Sequence, residues 1–319
     1  MKIAYLIFAY KNPQLIAREI QVLSSADSAF FIHVDSKSDL RDFAAIKGDN
    51  VFFTEQRISV YWAEFSGVRA ILLLIQQALE SSGGYEYLVL LSGSEYPLRS
   101  RSYIERYLEA NNGSEFIRMV KVPAPGKPLS AFTTLRYESG KPIRRLMCRA
   151  LAKIGMAQRD YRRYLGEMEP YSGCTWWALT RSACEYIIEF SHHNPQVAKF
   201  FKDVSTPEEA FFHTILGNSQ FRSRIRGNLV YEDWSARGSR PEMITEKHIA
   251  FFESQERVFD LSEGPCELLF ARKFSDQNLG LLRRIDRMVA QKCDFEDPKW
   301  GTGVDAFRHH RNSDFLCIS

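Results

Sequence analysis

The chain has 319 residues, 45% of them hydrophobic and 25% charged, with a formal net charge of +3, which argues for a globular protein of one large or two smaller domains and against disorder. So small a charge, without an aromatic-interleaved basic motif, excludes nucleic acid as the expected partner. The cysteines Cys148, Cys174, Cys184, Cys266, Cys293 and Cys317 include no C-x-x-C pair and no Cys/His cluster at zinc spacing, so free thiols in a reducing compartment are expected, and no structural zinc.

The N-terminal run Met1 to Phe8 is too short for a secretory h-region with its cleavage site, and reads as the start of a strand over Lys2 to Ala9. No segment reaches the ~20 apolar residues of a spanning helix, and a soluble protein is expected. Asn12-Pro13 caps a helix with Leu15, Ile16, Ile20 and Leu23 close to the 3.6 period. Phe30 to Asp35 is a second strand that ends on an acid, and Val51 to Phe53 is a short third. A long helix runs from about Ala63 to Ser81 and stops before Gly83-Gly84. Tyr87 to Leu91 is a continuous apolar run of buried-strand length, opening into Ser92-Gly93-Ser94-Glu95-Tyr96-Pro97. Ser102 and Glu105 predict a capping box, and Glu115 to Val120 another strand.

This alternation up to about residue 121 predicts an α/β fold with a largely parallel central sheet. Ligands of such sheets bind where strands end, so Ala9 to Lys11, Asp35 and the loop after Leu91 share one rim. The chain contains neither G-x-G-x-x-G nor a P-loop, and no Asp-x-Asp that would hold a metal beside a nucleotide sugar. Any diphosphate bound here has to be met by side-chain cations.

Between Lys121 and Leu165, eleven Lys or Arg stand against Glu138 and Asp160, a balance of +9 that leaves −6 for the rest of the +3 chain. Within it Ile143, Leu146, Met147, Ala150, Leu151 and Ile154 share a helical face ringed by basic residues, a pattern that suits either an anionic membrane surface or packing on the protein's own core. A strand is expected around Ile225 to Tyr231, then an irregular Glu232-Asp233-Trp234-Ser235 segment, a helix near Glu246 to Phe252 and a last helix over Asn278 to Gln291. The adjacent His309 and His310 would diverge on any regular element, and no metal site is assigned there.

Thr206-Pro207-Glu208-Glu209 reads as a helix start, with Thr206 as N-cap, Pro207 at N1 and Glu209 reaching back to the Thr206 N–H. A functional acid is the alternative. Of Trp176 and Trp177, strand alternation sends one to the core and leaves the other, Trp176, as a candidate aromatic face for a sugar. Ser172-Gly173 is a turn and not a nucleophile, since no G-x-S-x-G elbow accompanies it.

The order of Ile3-Ala4-Tyr5, Ile32-His33-Val34-Asp35, Ser92-Gly93-Ser94-Glu95-Tyr96-Pro97-Leu98, Arg136-Tyr137, Ser172-Gly173 with Trp176-Trp177, Thr206-Pro207-Glu208-Glu209 and Phe270-Ala271-Arg272-Lys273-Phe274 resembles glycosyltransferase family 14 over about residues 2 to 275. That family holds the core-2/I-branching β-1,6-N-acetylglucosaminyltransferases and peptide O-xylosyltransferases. The resemblance implies a GT-A-like, Rossmann-like fold without Asp-x-Asp and an inverting transfer from a UDP-sugar that needs no divalent metal or other cofactor. It assigns the catalytic base to Glu209, the diphosphate cations to Arg240 and Lys273, with Arg237 contesting the first, and the uridine site to Phe8, Asp35 and Trp62. Candidate sugar or acceptor contacts are Glu95, Arg136, Tyr137 and Trp176. Glu95 departs from the family's usual Asp.

N-acetylglucosamine is the expected donor sugar, with xylose and glucuronic acid as alternatives, and the acceptor is a glycan or lipid-linked glycan. The resemblance divides the chain into one catalytic domain over 1–275, with a nucleotide-binding half to residue 121, and a C-terminal helix and tail over 276–319. A bacterial-type member without a membrane anchor is expected in the cytoplasm, touching the inner face of the cell membrane through residues 141–165. The competing readings are a glycoside hydrolase, using Glu95 or Asp233 as its second acid, and a noncatalytic glycan-binding protein.

Overall fold

The computed structural model of the protein describes residues 1–134, 146, 150, 158–236, 238, 240–260 and 266–292. Arg136, Tyr137, Arg237, His309, His310 and most of the basic 141–157 stretch lie outside the described residues.

In chain order the strands are β1 (Ile3–Ala9), β2 (Ser28–Val34), β3 (Val51–Phe53), β4 (Tyr87–Ser92), β5 (Glu95–Pro97), β6 (Glu115–Phe116), β7 (Met119–Lys121), β8 (Tyr171–Gly173), β9 (Trp177–Thr180), β10 (Ile225–Arg226), β11 (Val230–Glu232), β12 (Phe259–Asp260), β13 (Cys266–Glu267) and β14 (Phe270–Arg272). Seven of them form one sheet in the order β10-β6-β9-β4-β1-β2-β3. Within it β1 is parallel to β2 and β4, and β3 to β2, while β9 runs antiparallel to β4 and β6. This is the mostly parallel α/β arrangement that the alternation predicts.

β2 and β4 are buried on both faces, and β1 nearly so, which is why their sequences run apolar without alternation. The helix Phe65–Glu80 packs on β1 and β2 and against the helix Arg181–His193. The chain leaves β1 for β2 on one side and returns to β4 on the other. The carboxyl ends of β1, β2 and β4 therefore open onto the crevice at the reversal of strand order.

A smaller sheet, β11-β14-β5, stands over that edge. Its core joins Tyr96, Phe274, Ile249 and Phe252 to Leu282, Ile285 and Met288 of the helix Leu279–Lys292. Asp286 of that helix accepts from Tyr96 Oη at 2.7 Å and pairs with Arg18. The apolar face of the helix Leu279–Lys292 packs into this second core together with Leu15, Ile249 and Phe252.

Several local expectations are corrected. The Pro13–Leu23 helix is not capped by Asn12, which lies at φ 60° with no side-chain cap. Asp276 does that work from a distance, accepting from Leu15 N at 2.8 Å and Gln14 N at 3.3 Å, while Asn12 Nδ2 donates to Gly93 O at 2.7 Å. The Arg101–Ala110 helix is capped by Ser100, which accepts from Tyr103 N, so Ser102 falls inside the first turn. The single strands expected over Glu115–Val120 and Ile225–Tyr231 are each split, because the chain crosses between sheets in mid-run: β6 and β10 stay in the large sheet, β7 pairs with β8, and β11 joins β14.

Gly173 lies at one such crossing. A Cβ there would sit 1.8 Å from the Arg118 carbonyl oxygen and 2.9 Å from the His213 ring. Neither the backbone nor a fully buried ring can retreat. Gly173→Ala is expected to cost about 3 kcal/mol, the upper range for overpacking, measured as a lower urea midpoint at unchanged m-value.

Candidate active site

Phe8, Asp35 and Trp62 are gathered at one end of the rim. Phe8 pairs with His33 in register and its ring lies 6.0 Å from the imidazole. Burial pushes His33 down to about 4, so it is neutral and its Nε2 accepts from Ile58 N at 2.9 Å. That bond docks the 58–62 loop on β2. Asp35 is buried and accepts from Lys37 N at 2.9 Å and Lys37 Nζ at 2.8 Å. Lys37 also donates to Val60 O and stands 4.4 Å from the Tyr61 ring. The adjacent Trp62 is 77% exposed. A carboxylate has about four lone-pair sites, so Asp35 retains acceptor capacity toward a ligand.

At the other end, the small sheet holds a buried charge cluster. The Arg272 Nε lies 3.0 Å from Glu95 Oε1 and its Nη1 3.0 Å from Glu232 Oε1. Its guanidinium covers the Trp176 ring at 4.5 Å. Glu95 is 0% exposed and also accepts from Ser92 N at 2.5 Å and Ser92 Oγ at 2.7 Å. The place assigned to Glu95 as a sugar contact is thus beneath the surface, where its extra methylene over Asp serves to reach Ser92 and Arg272. Trp176 lies outside β9 and is 6% exposed with one face taken by Arg272, while Trp177 is core, packed on Phe212.

Lys273, next in sequence, is half-buried and held below the usual lysine range, first by burial and then by the positive charges of Arg272, Lys11 and Arg240. Arg240 is exposed on a loop closed at its base by Glu242 N donating to Asp233 O at 2.8 Å. Asp233 accepts from Ser235 N at 2.8 Å and pairs with His248 Nε2 at 2.8 Å. Although burial opposes it, these bonds lower the Asp233 carboxyl below its ordinary range. Ile244 N donates to Lys273 O at 2.9 Å, tying the Arg240 loop to the backbone of the second cation.

Glu209 stands on a short 3-10 turn, Pro207–Glu209, and not in an α-helix. The capping box expected there does not form. Thr206 is at φ 47°, and its hydroxyl donates to Ser205 O at 2.8 Å. The Glu209 carboxylate turns outward to Lys127, with Oε2 2.7 Å from Nζ and 33% of the side chain exposed. Lys127 Nζ also donates to Gly173 O at 3.2 Å. His213, beneath Gly173, is pushed down to about 3 by burial and by the charge of Lys127, and its Nε2 donates to Cys174 O at 2.9 Å. It is a neutral prop, not a base.

The 173–176 segment connects the two ends. Gly173 receives Lys127, Cys174 Sγ donates to Glu232 Oε2 at 3.4 Å, and Trp176 lies under Arg272. Lys127, Arg272 and Glu232 carry the site's connectivity and were missed by sequence reasoning. Arg272 and Glu232 sit inside or beside the motifs, and Lys127 follows the turn signal Pro125-Gly126, but residue type alone does not separate them from surface charges. Among the described residues, no trio of His, Cys, Asp or Glu is placed to hold a metal ion.

The sequence model of the Core-2/I-Branching enzymes matches residues 3–256. The chain belongs to that family. Among curated relatives it is similar to xylosyltransferase 2 of Canis lupus familiaris, 26% identical over 253 residues that cover 74% of this chain and 27% of that one. It is also similar to the β-1,3-galactosyl-O-glycosyl-glycoprotein β-1,6-N-acetylglucosaminyltransferase of Bos taurus, 27% identical over 221 residues, 67% of this chain and 48% of the other. The chain thus spans less than half the length of these relatives. Among solved structures, a 4-diphosphocytidyl-2C-methyl-D-erythritol synthase overlays with a TM-score of 0.31 at 13% identity, covering 62% of this chain and 84% of that one.

Two stability outcomes follow. Arg272→Met would leave Glu95 and Glu232, both buried, without their shared cation, and is expected to cost about 3–5 kcal/mol in urea unfolding. Glu208, beside Glu209, has a buried, unpartnered Oε2, and burial followed by the Glu209 charge raises it from 4.5 to about 7. The folded state therefore binds more protons than the unfolded chain between these values, and stability falls as pH rises through that window. Glu208→Gln lacks this loss, so the stability of the variant relative to the parent should grow by ~2 kcal/mol from below to above the window, a value discounted for partial exposure. Parallel melts across pH test it.

Proposed function

We propose that this member of the Core-2/I-Branching family transfers a sugar, β-linked and most simply N-acetylglucosamine, from a UDP donor to a hydroxyl of a glycan or lipid-linked glycan. Inversion at the anomeric carbon follows from a single in-line displacement without a divalent cation. Glu209 takes the proton of the acceptor hydroxyl as its oxygen attacks the anomeric carbon. The bond to the diphosphate breaks with its electron pair, and Lys273 and Arg240 meet the charge that develops on UDP. Phe8, Asp35 and Trp62 receive the uridine.

The observation that carries this reading is the state of Glu209: its carboxylate is not spent on helix capping and stands partly exposed, turned outward to Lys127. Xylose, as in the name of one relative, is the alternative donor sugar, and glucuronic acid a further one. A glycoside hydrolase is disfavoured because the second acids it would need are occupied, Glu95 by Ser92 and Arg272, Asp233 by His248 and Ser235.

A positioned base contributes ~10²–10⁴-fold. Glu209→Gln should lower UDP release from the productive UDP-sugar by that factor while UDP affinity stays within a factor of about two. The activity should persist in excess EDTA. Equal turnover in Glu209→Gln and the parent protein would remove the assignment, and loss of activity in EDTA, restored by magnesium or manganese, would remove the metal-independent route.

A further inference from the structure

We infer that Lys11, at the carboxyl end of β1, is a third cation for the donor diphosphate, approaching it from the large sheet while Lys273 and Arg240 approach from the small one. The inference deepens the UDP-donor reading and rests on it.

The backbone brings the two walls together at the turn Gly93-Ser94. A Cβ on Gly93 would lie 3.0 Å from the Lys11 carbonyl oxygen, so that carbonyl sits directly on the turn. Asn12 Nδ2 donates to Gly93 O at 2.7 Å and to Ser94 Oγ at 3.3 Å. From the other side Phe274 N donates to Ser94 O at 2.8 Å. Lys11 and Lys273 are each one residue from a partner of Ser94, one on each flank of the same turn.

Arg272 is ion-paired to Glu95 and Glu232, whereas Lys11, Arg240 and Lys273 have no carboxylate ion pair among the described residues. The carboxylate tied to this turn, Asp276, is occupied by the amides of Gln14 and Leu15. Lys273 is held below the usual lysine range first by burial and then by the positive charges of Arg272, Lys11 and Arg240, against which Glu95 acts in the opposite direction. A polyanion bound among these cations offsets their mutual repulsion. Lys11 is exposed, and its Nζ lies 5.1 Å from the Tyr10 ring, which is itself 55% exposed. The side chain is therefore free to turn toward a ligand at the mouth of the crevice.

The test compares UDP with uridine, which lacks the phosphates, by titration calorimetry of the full chain carrying Lys11→Met, Lys11→Arg or Lys273→Met. Lys11→Met should weaken UDP about tenfold, the worth of one charge-assisted contact, and leave uridine unchanged. Lys11→Arg should restore most of the loss. Unchanged UDP binding in Lys11→Met beside a clear loss in Lys273→Met would overturn the role of Lys11 alone, as would an equal weakening of UDP and uridine. If neither variant alters UDP binding, the diphosphate reading of the whole cation cluster fails with it.

Discussion

Arg272 clamped between two buried carboxylates is the interaction on which the rest of the site depends. Glu95 comes from β5, Arg272 from β14 and Glu232 from β11, so one guanidinium joins every strand of the small sheet. A charge this deep is tolerable only if its partners are fixed, and Ser92 fixes Glu95 at the end of β4. The small sheet is thereby anchored to the carboxyl edge of the large one. The backbone of Lys273 is then held on both flanks, since its neighbour Arg272 is ion-paired to two carboxylates and its own carbonyl accepts from Ile244 N. For the transfer proposed here, a cation placed in advance costs little reorganisation when charge develops opposite it.

The second constraint is the close passage of the 173–176 segment across the molecule. Gly173 touches the Arg118 carbonyl and receives Lys127, Cys174 bonds to Glu232, and Trp176 supports Arg272. Glu209, through Lys127, and the Arg272 cluster belong to different parts of the chain, yet both meet this short stretch. Lys127 works in the same way at Glu209, setting the direction of a carboxylate that a capping bond would otherwise have turned inward.

How much of this was legible varies with the kind of residue. The strands β1, β2 and β4 were visible because they are apolar throughout, and the rim followed from where they end. Glu209 was visible only as a choice between a cap and an acid. The residues were the same for both readings, and what removes the cap is the left-handed Thr206 together with a lysine 82 residues away that holds the carboxylate. Glu95 was visible as a departure from the family's Asp, but its burial was not, because a carboxylate in a loop motif reads as exposed until a buried arginine is known to meet it. Asp276, which caps a helix more than 260 residues earlier, leaves no local trace at all.

The sequence by itself determined the α/β class, the parallel core, the lack of a glycine-rich phosphate cradle and the motif order by which the chain was assigned to its family, since each is written in local periodicity or in short runs of fixed spacing. Only the tertiary structure decided which charged side chains are left exposed and which are consumed as struts. The reason is physical. A charge's role depends on what lies within about 4 Å of it, and for Arg272, Glu95, Lys127 and Glu209 those neighbours come from distant parts of the chain.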